Sequence, residues 1–236
     1  TVLHGHGNVG YAAGNNLGAD WLLRQGAQVI WVLNPDTRLT AGTLADAAGL
    51  RRAGDRVLGA TARATPAGEV HPDLGTVDLW TGRSGRPGTD RAPGGRRLTY
   101  VAGHSLLATR EAWLALRGFC EDYFLFFEEA DLALRAAQLG IPTVAVGGLS
   151  VAHAGGAATG ARRDLRAKSG TAYFHASRSC AIFFRRHYRG RLPVMVTARL
   201  GYAGKALVFG GPAAAGAVLA GTLAGLRVQM PAAGAG

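Results

Sequence analysis

The stretch Gly118-Phe119-Cys120-Glu121-Asp122-Tyr123-Phe124-Leu125-Phe126-Phe127-Glu128-Glu129-Ala130-Asp131-Leu132 constrains this chain more than any other. An aromatic-rich run passes straight into a cluster of carboxylates, and the cluster opens a helix. Carboxylates beside so much apolar surface are costly unless something uses them. A second acid, Asp36, closes the run Val29-Ile30-Trp31-Val32-Leu33-Asn34-Pro35-Asp36. Acids delivered from two different elements point to a site with a metal and a base.

The elements around these acids alternate. Residues 29–33 are continuously apolar and β-branched, the mark of a buried strand. Residues 1–3 read as the end of a short strand, 5–18 as a Gly/Asn-rich loop and 19–24 as a helix. Thr40 can cap a helix running to about Arg52. Residues 57–62 and 100–108 read as strands, and Thr109 caps a short helix that ends before Gly118. A helix over 128–139 is stopped by Gly140 and Pro142, and a strand over 143–152 leads to His153. Alternating strands and helices imply an α/β domain with a mainly parallel sheet and helices on both faces. Residues 82–97 are rich in Gly and Arg without periodicity and read as a binding loop or lid.

After His153 the character changes, which divides the chain into a catalytic domain over 1–160 and a basic, amphipathic helical region over 161–236. Residues 162–191 hold nine Arg or Lys against one acid, Asp164, within a chain of net charge +11. A helix over 173–188 interleaves aromatics with arginines. Residues 206–226 carry no charge, but Gly210, Gly211 and Pro212 interrupt them. A basic segment followed by a weakly apolar one suits a protein lying on an anionic membrane surface. The Phe183-Phe184 pair within the basic segment favours membrane over nucleic acid. Cys120 and Cys180 lack metal-site spacing and make no disulfide framework, which fits a reducing compartment. No signal peptide opens the chain.

Five smaller motifs bear on chemistry. Gly5-His6-Gly7-Asn8-Val9-Gly10 has the G-x-G-x-x-G spacing of a dinucleotide loop, a pattern that needs a strand before it and a helix directly after it. The wider string over 8–18 offers glycines for tight turns and Asn side chains for a phosphate or base. Asp36 follows the carboxyl end of a buried strand, where open α/β sheets bind ligands and where a carboxylate can hold a hard divalent cation. In the acidic helix, Asp131 pairs with Arg135 at i,i+4, while Glu128 and Glu129 compete for the role of general base. His153 could complete a metal site with Asp36.

Taken in order, these pieces resemble the family 2 inverting glycosyltransferases of the GT-A (Rossmann-like) fold, especially the bacterial rhamnosyltransferase-like branch. Residues 8–18 resemble the family's N-x-G-[FY]-A-x-G-N-N-x-G loop, and residues 33–37 its LNPD-T motif. Residues 118–135 resemble GGF-D-E-x-[FY]-F-x-[FY]-E-D-x-D-L-x-x-R. Residues 173–187 are similar to the Y-x-x-x-R-N helix, with Arg178-Ser179 in place of Arg-Asn. The match covers roughly the first 190 residues. The family's opening strand, ending in D-N-x-S, and the helix after it have no counterpart. Residues 1–3 would then be the fold's second strand, and the chain is expected to be truncated.

The resemblance implies an enzyme that moves a sugar, rhamnose among the candidates, from a nucleotide-sugar donor to a hydroxyl of a cell-envelope or lipid-linked glycan, with inversion. Asp36 would bind Mg²⁺ or Mn²⁺, with His153 as a further metal contact. Glu129 falls where the family places its base, usually Asp. Asn8, Gly10, Asn15, Asn16 and Asn34 would lie beside the donor with Asp36. The protein would be cytoplasmic and peripheral at the inner face of the cell membrane, with no nucleic acid as partner. A nicotinamide-dependent oxidoreductase and an inactive fragment that keeps only the fold are the alternatives.

Overall fold

The computed structural model describes residues 1–64, 70–87, 96–153 and 164–229. They fall into two compact units, one of Thr1–Val77, Ser84–Glu121 and Glu128–Gly155, the other of Asp78–Arg83, Asp122–Phe127 and Gly156–Gly236. The first unit is α/β. Residues 1–3 are exposed and form no strand, contrary to expectation. Helix α1 (Gly10–Arg24) begins inside the stretch expected to be loop. Its glycines and asparagines have poor helix propensity, but Ala12, Ala19 and Leu23 fall on one face and reach the core. Tertiary burial decides against propensity here.

Strand β1 (Val29–Leu33) forms as expected. The expected helix from Thr40 is replaced by β2 (Thr37–Ala41), which finds a ladder partner in β9 (Thr143–His153). The helix α2 (Leu44–Ala48) starts later, where Thr43 and Asp46 form a reciprocal capping box, and a 3₁₀ turn follows over Gly49–Ala53. Strands β3 (Leu58–Ala64), β4 (Val70–Pro72), β5 (Leu74–Asp78) and β6 (Ser84–Gly85) come next. The single strand expected over 100–108 is two, β7 (Arg97–Val101) and β8 (Ser105–Thr109), separated by a turn at Ala102-Gly103-His104. Thr109 caps α3 (Arg110–Leu116), and α4 (Glu128–Gln138) precedes β9.

The main sheet has six strands in the order β1-β8-β3-β9-β2, with β4 on β3, and β6-β5-β7 form a second sheet. The expected mainly parallel sheet is mixed: β3 and β9 pair in parallel, whereas the β1–β8, β8–β3, β9–β2 and β3–β4 ladders are antiparallel. The short connection after β1 reverses the chain into β2 without a crossover helix. Strands β1, β3 and β9 still share one direction. Alternation within the apolar strands covers both faces. Ile30, Val32, Leu106 and Ala108 pack with α1, α3 and α4, while Val29, Trp31 and Leu107 pack with Ala47 and Leu50 of α2 and its 3₁₀ turn.

The second unit is helical. Ser169 caps α5 (Gly170–His187), and α6 (Leu192–Arg227) carries a stripe of Met195, Ala203, Ala206, Ala214 and Val218 that is buried. Gly221 and Gly225 lie on α5 so closely that an added methyl would stand 2.2 Å from the Phe174 and Arg178 carbonyls. Gly211, at φ 82 and ψ −179, breaks the helix ahead of Pro212. The segment Arg189–Arg227 is long and apolar enough to cross a membrane, yet only 28% of its most apolar window is buried. Leu207, Val208, Phe209, Leu219 and Leu223 are exposed.

Candidate active site

Two strand ends and one turn gather the acids and histidines of the first unit. Asp36 follows β1 and His153 ends β9, and the Asp36 Oδ1 lies 3.1 Å from the His153 Nε2, each side chain about one-fifth exposed (21%). The His153 ring stacks on His104, centroids 4.2 Å apart and planes 8° from parallel. His104 in turn faces the buried Asp73 at 2.9 Å, and Arg63 approaches the other oxygen of Asp73 at 3.4 Å. Burial and the His104 neighbour push the His153 pKa down, against the pull of Asp36, so the imidazole is held neutral. Burial works to raise the pKa of Asp73, but His104, Arg63 and Arg86 more than offset it, and its carboxyl is held below the usual range.

The same turn receives the base candidates. The Gly103 N–H donates to the Glu129 carboxylate, and the Tyr11 hydroxyl of α1 donates to the Gly103 carbonyl. Backbone carries the other side: the Asn34 N–H donates to the His104 carbonyl at 3.0 Å, and the Thr37 hydroxyl does so at 3.3 Å. The loop bearing Asp36 and the helix bearing Glu129 therefore meet on consecutive residues. Glu128 and Glu129 part company in burial. Glu128 is 2% exposed, with one carboxyl oxygen, Oε2, lacking a hydrogen-bond partner, whereas Glu129 is half-buried. Desolvation raises both pKa values, and the Glu129 charge pushes Glu128 higher still, so Glu128 is the member that keeps its proton. Burial and the two glutamates also hold the Tyr11 hydroxyl protonated. Phe126 and Phe127, at φ 68 and 69, immediately precede α4 in a backbone region that non-glycine residues rarely adopt.

The asparagines of residues 8–16 make different bonds. Asn16 grips the chain at Phe119, accepting from its N–H at 2.9 Å and donating to its carbonyl at 2.9 Å, with a further bond to Glu121. Asn15 donates to the Tyr11 carbonyl within α1 at 2.8 Å. Asn8 is exposed and accepts from the Gly10 N–H at 3.2 Å, just where α1 begins. The helix that a dinucleotide loop needs after Gly10 is therefore present, but residues 1–9 carry no strand.

Gly103, His104, Asp73 and Tyr11 were not assigned roles from the sequence. The available signal was the Gly-His pair inside the apolar run 100–108, which marks a turn rather than a continuous strand. Gly103 is fixed by space: a Cβ there would stand 2.3 Å from the Glu129 Oε1. Gly103→Ala should displace the carboxylate while the unit stays folded. The expected result is a loss of turnover of about a hundredfold with an unchanged melting temperature. Steady-state kinetics beside a thermal melt checks this, and full activity would mean that Glu129 has no fixed position to lose.

Among the described residues, no group of three or more His, Cys, Asp and Glu is placed to hold a metal ion; the site offers the Asp36–His153 pair. The basic segment is largely engaged within the second unit. Arg178 donates to the Asp122 carbonyl, Arg186 pairs with the Asp122 carboxylate, Arg185 donates to the Val228 carbonyl, and Arg191 packs on Trp80 and Tyr188. Arg162 and Arg163, and the centre of the expected loop over 82–97, lie outside the described residues. No protein-family model matches the chain, and no curated protein matches it.

Proposed function

We propose that the chain is a glycosyltransferase that moves a sugar from a nucleoside-diphosphate donor to a hydroxyl of a cell-envelope or lipid-linked glycan, with inversion. One observation carries this reading. A half-buried carboxylate, Glu129, and an acid–imidazole pair, Asp36–His153, converge on Gly103 and His104 at the ends of strands β1, β8 and β9. The carboxyl ends of β1 and β9, which run in the same direction, deliver the pair, and ligands of open α/β sheets bind at such ends.

In the proposed step the acceptor oxygen bonds to the anomeric carbon as its proton passes to Glu129. The bond from that carbon to the diphosphate breaks, and its electron pair leaves with the diphosphate. Glu129 is assigned as base because it is accessible, while Glu128 is buried and protonated. The Gly103 N–H aims the Glu129 carboxylate, and Tyr11 fixes Gly103. Val9, the N-cap residue of α1, makes no side-chain cap; the Gly10 N–H is taken by Asn8, and the helix N-terminus beyond it is suited to a diphosphate oxygen.

The donor set fits Mg²⁺ or Mn²⁺. A carboxylate and a neutral imidazole leave several positions for water and phosphate oxygens, and the imidazole favours Mn²⁺. Asp36 and His153 would hold the ion, which when bound supplies charge stabilisation to the leaving diphosphate. The exposed apolar face of α6 supports association with a membrane, and in this reading the protein sits peripherally at the inner face of the cell membrane.

The test is release of nucleoside diphosphate from a panel of nucleotide sugars, nucleoside-diphosphate rhamnose first, with Mn²⁺ or Mg²⁺. Stimulated release without change in nicotinamide absorbance is expected. Nicotinamide turnover would replace this reading with the oxidoreductase, and silence towards every donor would leave a fold without the activity. Rate should also depend on pH in a defined sense. The base must be ionised, and burial raises Glu129 above the usual 4.5. Activity should be present above that raised pKa and be lost as pH falls through it. The acid limb of kcat/KM is therefore expected above the ordinary glutamate range, and a limb at or below 4.5 would contradict the assignment.

A further inference from the structure

The second unit holds two cations with no carboxylate partner. Arg199, on α6, is 9% exposed. Among the described residues its buried Nε has no hydrogen-bond partner, and its guanidinium makes one long hydrogen bond to the backbone, 3.4 Å, to the Thr81 carbonyl. Its guanidinium stands 5.1 Å from the centre of the Tyr202 ring. Lys168, half-buried ahead of α5, stands against that same ring at 5.6 Å and against Tyr173 at 5.0 Å. Its ammonium donates to the Tyr202 hydroxyl at 3.2 Å. Among the described residues, neither cation has an acid within ion-pair distance.

Such an arrangement is expensive. A buried guanidinium normally finds a carboxylate, and two like charges raise each other's cost. Ring faces offset only part of that cost. Burial, with Arg199 adding to it, pushes the Lys168 ammonium down to about 8, which is the signature of positive charge lacking a counter-ion. An oxyanion would satisfy both groups at once, accepting from the Arg199 Nε–H and from the Lys168 ammonium that share the Tyr202 ring. Phosphate suits this better than a single carboxylate, because its several oxygens can meet donors from different directions.

We propose that Lys168 and Arg199, with Tyr202, form a phosphate-binding site. The phosphate is carried by a lipid or lipid-linked molecule or is free in solution. The site lies wholly within the helical unit and does not depend on the proposed transfer chemistry, so its test needs no sugar donor.

The experiment measures binding of the full chain to inorganic diphosphate by calorimetry. In parallel it measures binding to phosphatidylglycerol vesicles, with oleate-bearing phosphatidylcholine vesicles of equal charge as the comparison. Lys168→Gln should weaken binding of the phosphate-bearing probe at least tenfold, and Lys168→Arg should restore most of it. Arg199→Lys tests the buried partner with its charge kept, and a matching loss is expected because an ammonium lacks the Nε–H. Loss in the diphosphate arm assigns the site to a soluble phosphate; loss in the phosphatidylglycerol arm alone assigns it to a headgroup. Arg189→Gln, an exposed cation outside the cluster, is the control. Equal weakening by Arg189→Gln and Lys168→Gln, equal binding to oleate vesicles, or unchanged binding by Lys168→Gln overturns the proposal, since each means diffuse charge rather than a built site.

Discussion

Glu129→Gln should abolish nucleoside-diphosphate release, lowering kcat by about 10²–10⁴-fold while leaving KM for the donor nearly unchanged. Glutamine keeps the shape of the side chain and can still meet the Gly103 N–H through its carbonyl. What it cannot do is accept a proton. Glu128→Gln is the informative partner. Glu128 is buried and protonated, so an amide there resembles its resting state, and most activity should survive. Asp36→Asn should remove the response to Mn²⁺, which direct Mn²⁺ binding by electron spin resonance can follow without any turnover. An active Glu129→Gln beside a dead Glu128→Gln would exchange the two roles, and activity in both would end the proposal of a glutamate base.

Arg135→Ala should cost about 3–5 kcal/mol of folding stability, the largest loss expected from a single change in the first unit. Arg135 joins three places. Its Nε donates to the fully buried Asp131 at 2.7 Å, its Nη2 donates to the Gly118 carbonyl at 3.0 Å, and its Nη1 donates to the Leu116 carbonyl. The last two carbonyls lie where α3 ends, beyond which helical bonding cannot satisfy them. Alanine therefore leaves a buried carboxylate without its guanidinium and strips two carbonyls of a donor. Denaturation followed by circular dichroism checks the size of the effect. The double variant Asp131→Asn, Arg135→Met should recover part of the loss, because it removes the stranded charge. A loss below about 1 kcal/mol for Arg135→Ala would place the pair among solvent-screened ones.

The Asp131–Arg135 pair was legible from spacing alone, since i,i+4 neighbours share a helix face whatever surrounds them. The strand Val29–Leu33, the Thr109 cap and the stop of α4 were readable for the same reason: each is decided within a few residues. Elements settled by distant partners were not. Residues 37–41 carry no strong strand pattern and become β2 because β9 supplies a ladder. The start of α1 was hidden by its glycines and asparagines, whose low propensity loses to the burial of Ala12 and Ala19. The turn at 102–104, which hands the chain from one sheet to the other, was concealed by a run of apolar residues. That turn also explains the shortfall at the site. Asp36, His153 and Glu129 could be named individually, but Gly103 and His104, on which they meet, carry no motif that marks them.

The break at Gly211 sets a limit on how the chain can engage a bilayer. The two limbs of α6 on either side of it are roughly 28 and 24 Å long at about 1.5 Å per residue. Each limb alone lies near the lower limit for a hydrocarbon core about 30 Å thick, while the two together are long enough to cross it. One face of each limb is already committed to a small-residue seam, and the aliphatic side chains point the other way. Any contact with a bilayer would therefore be made by two helical limbs meeting at a bend, in place of one straight rod.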